Sequence, residues 1–119
     1  MSDQVYWMLE TKINDGQMDN LKALMAEMVE ATQANEPGTL NYEWSITADG
    51  QSCHIFERYA DSEATLIHLG TFGKVYAARF MSILQPTSMM VYGNPNEATR
   101  EALKGVGGVF MTAIGGFSR

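Results

Sequence analysis

Three stretches of this sequence alternate, yet are apolar on both sides of the alternation. At 5–13, Val5, Trp7 and Leu9 fall on one side and Tyr6 and Met8 on the other. At 52–59, Cys53, Ile55 and Tyr59 oppose His54 and Phe56. At 87–92, Met89 and Val91 oppose Met90 and Tyr92. Alternation of large side chains marks strands. An antiparallel sheet with helices on one face shows water a polar second face. Here both faces need cover, and no other feature restricts the fold as much.

The remaining segments set the order of elements. Asn14-Asp15-Gly16 breaks the chain with turn residues. Met18, Leu21, Leu24, Met25, Met28, Val29 and Thr32 then recur at spacings of three and four, which predicts an amphipathic helix ending near Asn35. Pro37 restricts Glu36, and Gly38 supplies the stop. Residues 40–47 alternate cleanly, and Asp49-Gly50 turns them into the 52–59 strand. Asp61 or Ser62 caps a second helix running to about Leu69. Gly70-Thr71-Phe72-Gly73 is expected to interrupt it before residues 74–84 resume. After Pro86 comes the 87–92 strand, then a short helix at 96–104, and a last strand at 109–114.

The reading is therefore α+β: a ferredoxin-like split β-α-β-β-α-β with an added C-terminal helix and strand. At 119 residues the chain fits a single domain, 1–119. The short added helix and the last strand are the spare elements that could fold over the second face of a monomer. A second copy set sheet against sheet is the simpler cover, so a homodimer is expected. The last strand is apolar on both sides and follows glycines, so it is expected to exchange with the partner.

Charge and composition narrow the partners. The net charge of −6, with only eight basic residues, argues against nucleic acid or another polyphosphate partner. No segment is apolar and long enough for a bilayer, and the N-terminus lacks the pattern of a signal peptide. The lone Cys53 fits a reducing compartment, so a cytoplasmic location is expected. Nine methionines point to an adaptable apolar interior.

A longer pattern crosses the middle of the chain. Glu57-Arg58-Tyr59-Ala60-Asp61-Ser62-Glu63-Ala64, followed by His68-Leu69 and Phe72, reads E-x-Y-x-D-x-x-A-x-x-x-H. Upstream, Glu36-Pro37-Gly38-Thr39-Leu40-Asn41-Tyr42 reads E-x-G-x-x-x-Y. Both resemble the antibiotic biosynthesis monooxygenase domain family, and the closing Gly115-Gly116-Phe117-Ser118-Arg119 resembles the ending of one subgroup. The resemblance implies a dimeric α+β barrel. Some members oxidise quinols or polyphenols with dioxygen and neither metal nor flavin; others degrade haem, isomerise small sugar-like molecules, or lack known activity. The haem-degrading members use an Asn on the first strand and a Trp and a His on the second helix. Here the first strand has no Asn before Asn14 and the second helix has no Trp, which argues against haem breakdown.

His68 is the leading candidate for chemistry, as a base for a phenolic proton. The plainer reading is a histidine that suits a helix C-terminus. Glu57 sits on a strand between apolar neighbours, so it needs a partner. Pairing with His68 would orient the ring, while pairing with Arg58, Arg79 or backbone would be structural. Tyr42, Trp44, Tyr59 and Phe72 either line a pocket for a flat aromatic molecule or are core. His54 reads as structural. Metal binding is not expected, because Cys53 and His54 alternate to opposite faces, and no cofactor is implied.

The first functional reading is a cofactor-independent monooxygenase acting on a quinol or polyphenol. The second is a non-catalytic or stress-related ligand-binding dimer of the same fold. The third is a small-molecule isomerase with His68 as proton shuttle.

Overall fold

The computed structural model describes residues 2–119. Strand β1 (Val5–Ile13) leads through the Asn14–Gly16 turn into helix α1 (Met18–Asn35). A hairpin follows, β2 (Thr39–Ile46) and β3 (Ser52–Tyr59), then helix α2 (Ser62–Thr71). A π-helical turn (Phe72–Tyr76) joins α2 to α3 (Ala77–Ile83). Strand β4 (Leu84–Gly93), helix α4 (Glu97–Gly105) and strand β5 (Val109–Phe110) complete the chain.

The sheet order is β2-β3-β1-β4-β5, so β1 and β3 are central, as the split α+β pattern requires. β1 runs antiparallel to both β3 and β4, and β2 runs antiparallel to β3. Alternation then decides the layers. Val5, Trp7, Ile55, Glu57, Tyr59, Met89 and Val91 are buried on the face under the helices. Leu21, Leu24, Met28 and Thr32 supply the buried stripe of α1. Asp61 caps α2 by accepting the Ala64 N–H at 2.9 Å, which fixes where that helix starts and which residues turn inward.

Four expectations need correction. The backbone stays helical through Gly70–Gly73, and the interruption is one wide turn rather than a break. An inserted residue in a helix is taken up by such a turn without losing the helical path. β4 begins at Leu84, so Pro86 lies inside it; the β1–β4 register shifts between Glu10 and Thr11, beside Thr11↔Pro86. A bulge is where a strand tolerates a proline. The last strand is two residues long rather than six, and pairs in parallel with β4, Met90↔Val109 and Val91↔Phe110. Gly107 (φ 89°) turns the chain back to that edge. Finally, α4 cannot shield the second face. Its Leu103 packs under Val5, Trp7 and Val91, with the other helices.

That second face stays half-buried. Tyr6 stacks on Tyr92 with ring centres 5.4 Å apart and meets Phe56 edge-on at 6.5 Å. Beyond β5 the chain carries Ile114 and Phe117 fully into solvent.

Gly38 shows how tightly α2 docks. A Cβ built there would lie 2.5 Å from the Ala64 Cβ. The glycine of E-x-G and the alanine of D-x-x-A are thus contact partners. Gly38→Ala should lower unfolding free energy by about 1–3 kcal/mol, measured by urea denaturation. Adding Ala64→Gly should return part of that loss; strictly additive effects would show that the two positions do not meet.

Candidate functional site

The inward side of β3 leaves a carboxylate under the helices, because Glu57 shares its face with Ile55 and Tyr59. Two other groups come to it. Glu36 caps the C-terminus of α1: its backbone N–H bonds the Thr32 carbonyl at 2.9 Å and its side chain is buried. α2 places His68 one turn past the buried Thr65, on its inner face. The ring lies between the two carboxylates: Nδ1 is 2.8 Å from Glu36 Oε1, and Nε2 is 3.3 Å from Glu57 Oε1. The Tyr59 hydroxyl donates to Glu57 Oε1 at 2.6 Å. His68, Glu36 and Glu57 are 5%, 7% and 5% exposed, so these are interactions inside the protein rather than at its surface.

The electrostatics follow from that placement. Burial pulls the His68 ring below its ordinary 6.5, but Glu36 and Glu57, by hydrogen bond and by charge, outweigh burial and hold it up to about 9. Both ring nitrogens face carboxylate oxygens, and only an imidazolium can donate to both. At neutral pH the ring is therefore an imidazolium held between Glu36 and Glu57. Burial, then the charges of Glu57 and Glu36, push the Tyr42 phenol upward. Burial and Glu57 do the same to Tyr59. Both tyrosines stay neutral donors across the physiological range.

The cluster forms the polar end of a cavity of about 540 Å³. Tyr42, Glu57 and His68 supply that end, and Trp7, Leu9, Leu69, Phe72, Phe80 and Met89 are among its apolar walls. Met81, Gln85, Pro86, Gly105 and Val106 are the lining residues exposed to solvent, and they mark its mouth.

Of the residues singled out in the sequence, Tyr42, Glu57, His68 and Phe72 meet at this cavity. Tyr59 does not line it; it is fully buried behind Glu57. Trp44 does not line it either, and packs edge-on to Tyr42 and Phe80 at 5.7 Å and 6.1 Å. Arg58 donates to Asn41 at 2.6 Å and Arg79 pairs with Glu27, so neither serves Glu57. His54 pairs with Glu10 at 3.5 Å on the half-buried face. Glu36 is the residue that sequence reasoning missed. Its signal was present: a carboxylate immediately before Pro37, at the inward-turning end of an amphipathic helix. Trp7, Phe80 and Met89 were also missed, because nothing in a strand or helix pattern separates cavity wall from filled core. As for metals, both ring nitrogens of His68 are occupied. Among the described residues no group of three His, Cys, Asp or Glu is arranged to hold an ion.

The family model for antibiotic biosynthesis monooxygenase matches residues 5–73. The chain belongs to that family. The matched span runs from β1 to the π-helical turn and contains Glu36, Glu57 and His68, while α3 to β5 lie beyond it. Among solved structures, MupZ from Pseudomonas fluorescens is similar at 26% identity and a TM-score of 0.85, over 99% of this chain and 96% of that one. Rv0793 from Mycobacterium tuberculosis is similar at 27% identity and a TM-score of 0.66, over 80% and 98% of the two chains. SnoaB, a cofactor-independent oxygenase from Streptomyces nogalater, shares the fold at 14% identity and a TM-score of 0.65, over 80% and 96%. No curated protein matches the sequence. Among the described residues no helix is long and apolar enough to cross a membrane.

The raised His68 value fixes a pH dependence. A group that holds its proton more tightly when folded stabilises the fold fully below the unfolded value of 6.5, and loses that contribution as pH rises through about 9. Tyr42 and Tyr59 add their own loss only above about pH 10. Urea unfolding free energy should therefore fall by about 3 kcal/mol across the His68 window. His68→Gln should flatten that fall; an unchanged slope would mean the ring is not held between charges.

Proposed function

We propose that this protein is a cofactor-independent monooxygenase that oxidises a flat, neutral phenol, of the quinol or polyphenol class, with dioxygen. The observation that carries the reading is one acid–base cluster at the end of a cavity whose other walls are apolar except for Gln85 at the mouth. A volume of about 540 Å³ suits a small aromatic ligand. Phe72 and Phe80 offer aromatic surface for the ring, and Tyr42, Glu57 and His68 meet its hydroxyl. An isomerase of a small polar molecule is less well served by these apolar walls.

In this proposal the base is Glu57 rather than His68, because both ring nitrogens of His68 already face carboxylate oxygens. The Oε1 of Glu57 is engaged by Tyr59 and His68, while its Oε2 has no hydrogen-bond partner among the described residues. The ligand hydroxyl gives its proton to Glu57, and the His68 imidazolium offsets the new phenolate charge. The phenolate passes one electron to dioxygen, and the resulting radical pair joins to form a carbon–oxygen bond. Glu57 returns its proton to the peroxide. Loss of water then converts a ring C–H into a carbonyl. One oxygen atom enters the product, the other leaves as water, and all four electrons come from the substrate. No external reductant is needed.

The homodimer belongs to the same proposal. A second copy laid on Tyr6, Phe56 and Tyr92 would cover the half-buried sheet face and form a barrel from two sheets. Tyr6→Glu should then shift the protein to a single chain in sedimentation velocity. A wild-type protein that already sediments as one chain would remove this part.

Metal-free protein should accelerate oxygen uptake with a hydroquinone. Glu57→Gln and His68→Ala should each lose roughly 10²–10⁴-fold of that rate while keeping a native circular dichroism spectrum. A folded Glu57→Gln protein at full rate would reject Glu57 as the acceptor.

A further inference from the structure

Glu36 is the one member of the charged cluster that does not line the cavity. It is also the shorter of the two contacts to the ring, 2.8 Å against 3.3 Å for Glu57. Its own position is well determined. Its backbone closes the last turn of α1 on Thr32, and the Thr39 hydroxyl lies 3.5 Å from Oε1. The ring has little freedom to turn over, because Tyr42 and Tyr59 flank it with ring centres at 5.1 Å and 5.3 Å. The groups facing His68 are thus Glu36 from the end of α1, Tyr42 from β2, and Glu57 and Tyr59 from β3.

We propose that Glu36 is a positioning residue: by holding the Nδ1–H of His68, it makes Nε2–H the one ring proton directed at Glu57 and the cavity. The pinning of Nδ1 depends only on the geometry above. The use of Nε2–H, which faces the charge that develops on a ligand oxygen, rests on the proposed oxidation. Glu36 cannot touch a ligand from where it sits, so its effect on turnover passes through the ring.

The pinning dictates an order of proton loss. Glu36 keeps its hydrogen bond to Nδ1–H, and the proton at Nε2, held by the longer contact, leaves first. A group that only filled space or neutralised charge would impose no such order.

Long-range proton–nitrogen correlation spectra of histidine-labelled wild-type protein read this directly. Both His68 nitrogens should be protonated near pH 6, and Nε2 alone should lose its proton as pH rises through about 9. Loss from Nδ1, or averaging between the two tautomers, would overturn the proposal. Glu36→Gln should lower the His68 midpoint by about 1–3 pH units, and Glu36→Asp should restore part of it. In hydroquinone oxidation Glu36→Gln should reduce kcat by roughly tenfold or more and leave KM within about twofold, because it removes no ligand contact. A midpoint that does not move in folded Glu36→Gln protein also overturns the proposal. Should that variant not fold, the wild-type spectra decide alone. The expected order of proton loss without any oxygen uptake would support the pinning and reject the proposed oxidation.

Discussion

An imidazolium between two buried carboxylates organises this molecule. Each of the three groups comes from a different part of the chain: the end of α1, the inward face of β3 and the inner face of α2. A buried charge left alone is strongly unfavourable, and removing one partner exposes the others to that penalty. The cluster therefore ties the first helix and the second helix to the sheet at one point. The close approach of Gly38 to Ala64 brings those segments near enough for the ion contacts to form.

The same arrangement makes the site chemically usable. Apolar walls keep the effective dielectric low, so the charges act over the cavity with little screening. Glu36 and Glu57 around a single imidazole leave acceptor capacity at the end of the cavity where the proposed phenol would sit. Tyr59, held neutral, orients the carboxylate it bonds, and Tyr42 offers a further neutral hydroxyl. Phe72 belongs to the wide turn that follows α2, and α3 continues from it to supply Phe80 and Met81. The irregular turn is thus part of how the cavity wall is built.

Much of the fold was legible because burial writes itself into periodicity. The 3.6-residue rhythm from Met18 to Thr32 marked α1, and strict alternation marked β2 and β3. Glu57 and His68 stood out as polar residues at buried positions. The rest failed for local reasons. Pro86 and Gly73 read as breaks, because a bulge and a wide helical turn absorb such residues only in three dimensions. The 109–114 segment has strand composition, but strand length depends on how much free edge β4 offers. Glu36 was hidden inside a helix-stop signal, where Pro37 and Gly38 explained the local sequence without it. Trp44 and Tyr59 had the composition of a pocket wall, and only packing shows that they lie behind it.

Under the proposed oxidation, the buried cluster takes up the proton of a bound phenol. The absorption spectrum of a naphthol bound in the absence of oxygen at neutral pH tests it most directly. Wild-type protein should show the red-shifted band of the naphtholate, and Glu57→Gln should lose it. A naphthol that binds wild-type protein in its neutral form would contradict that proton uptake.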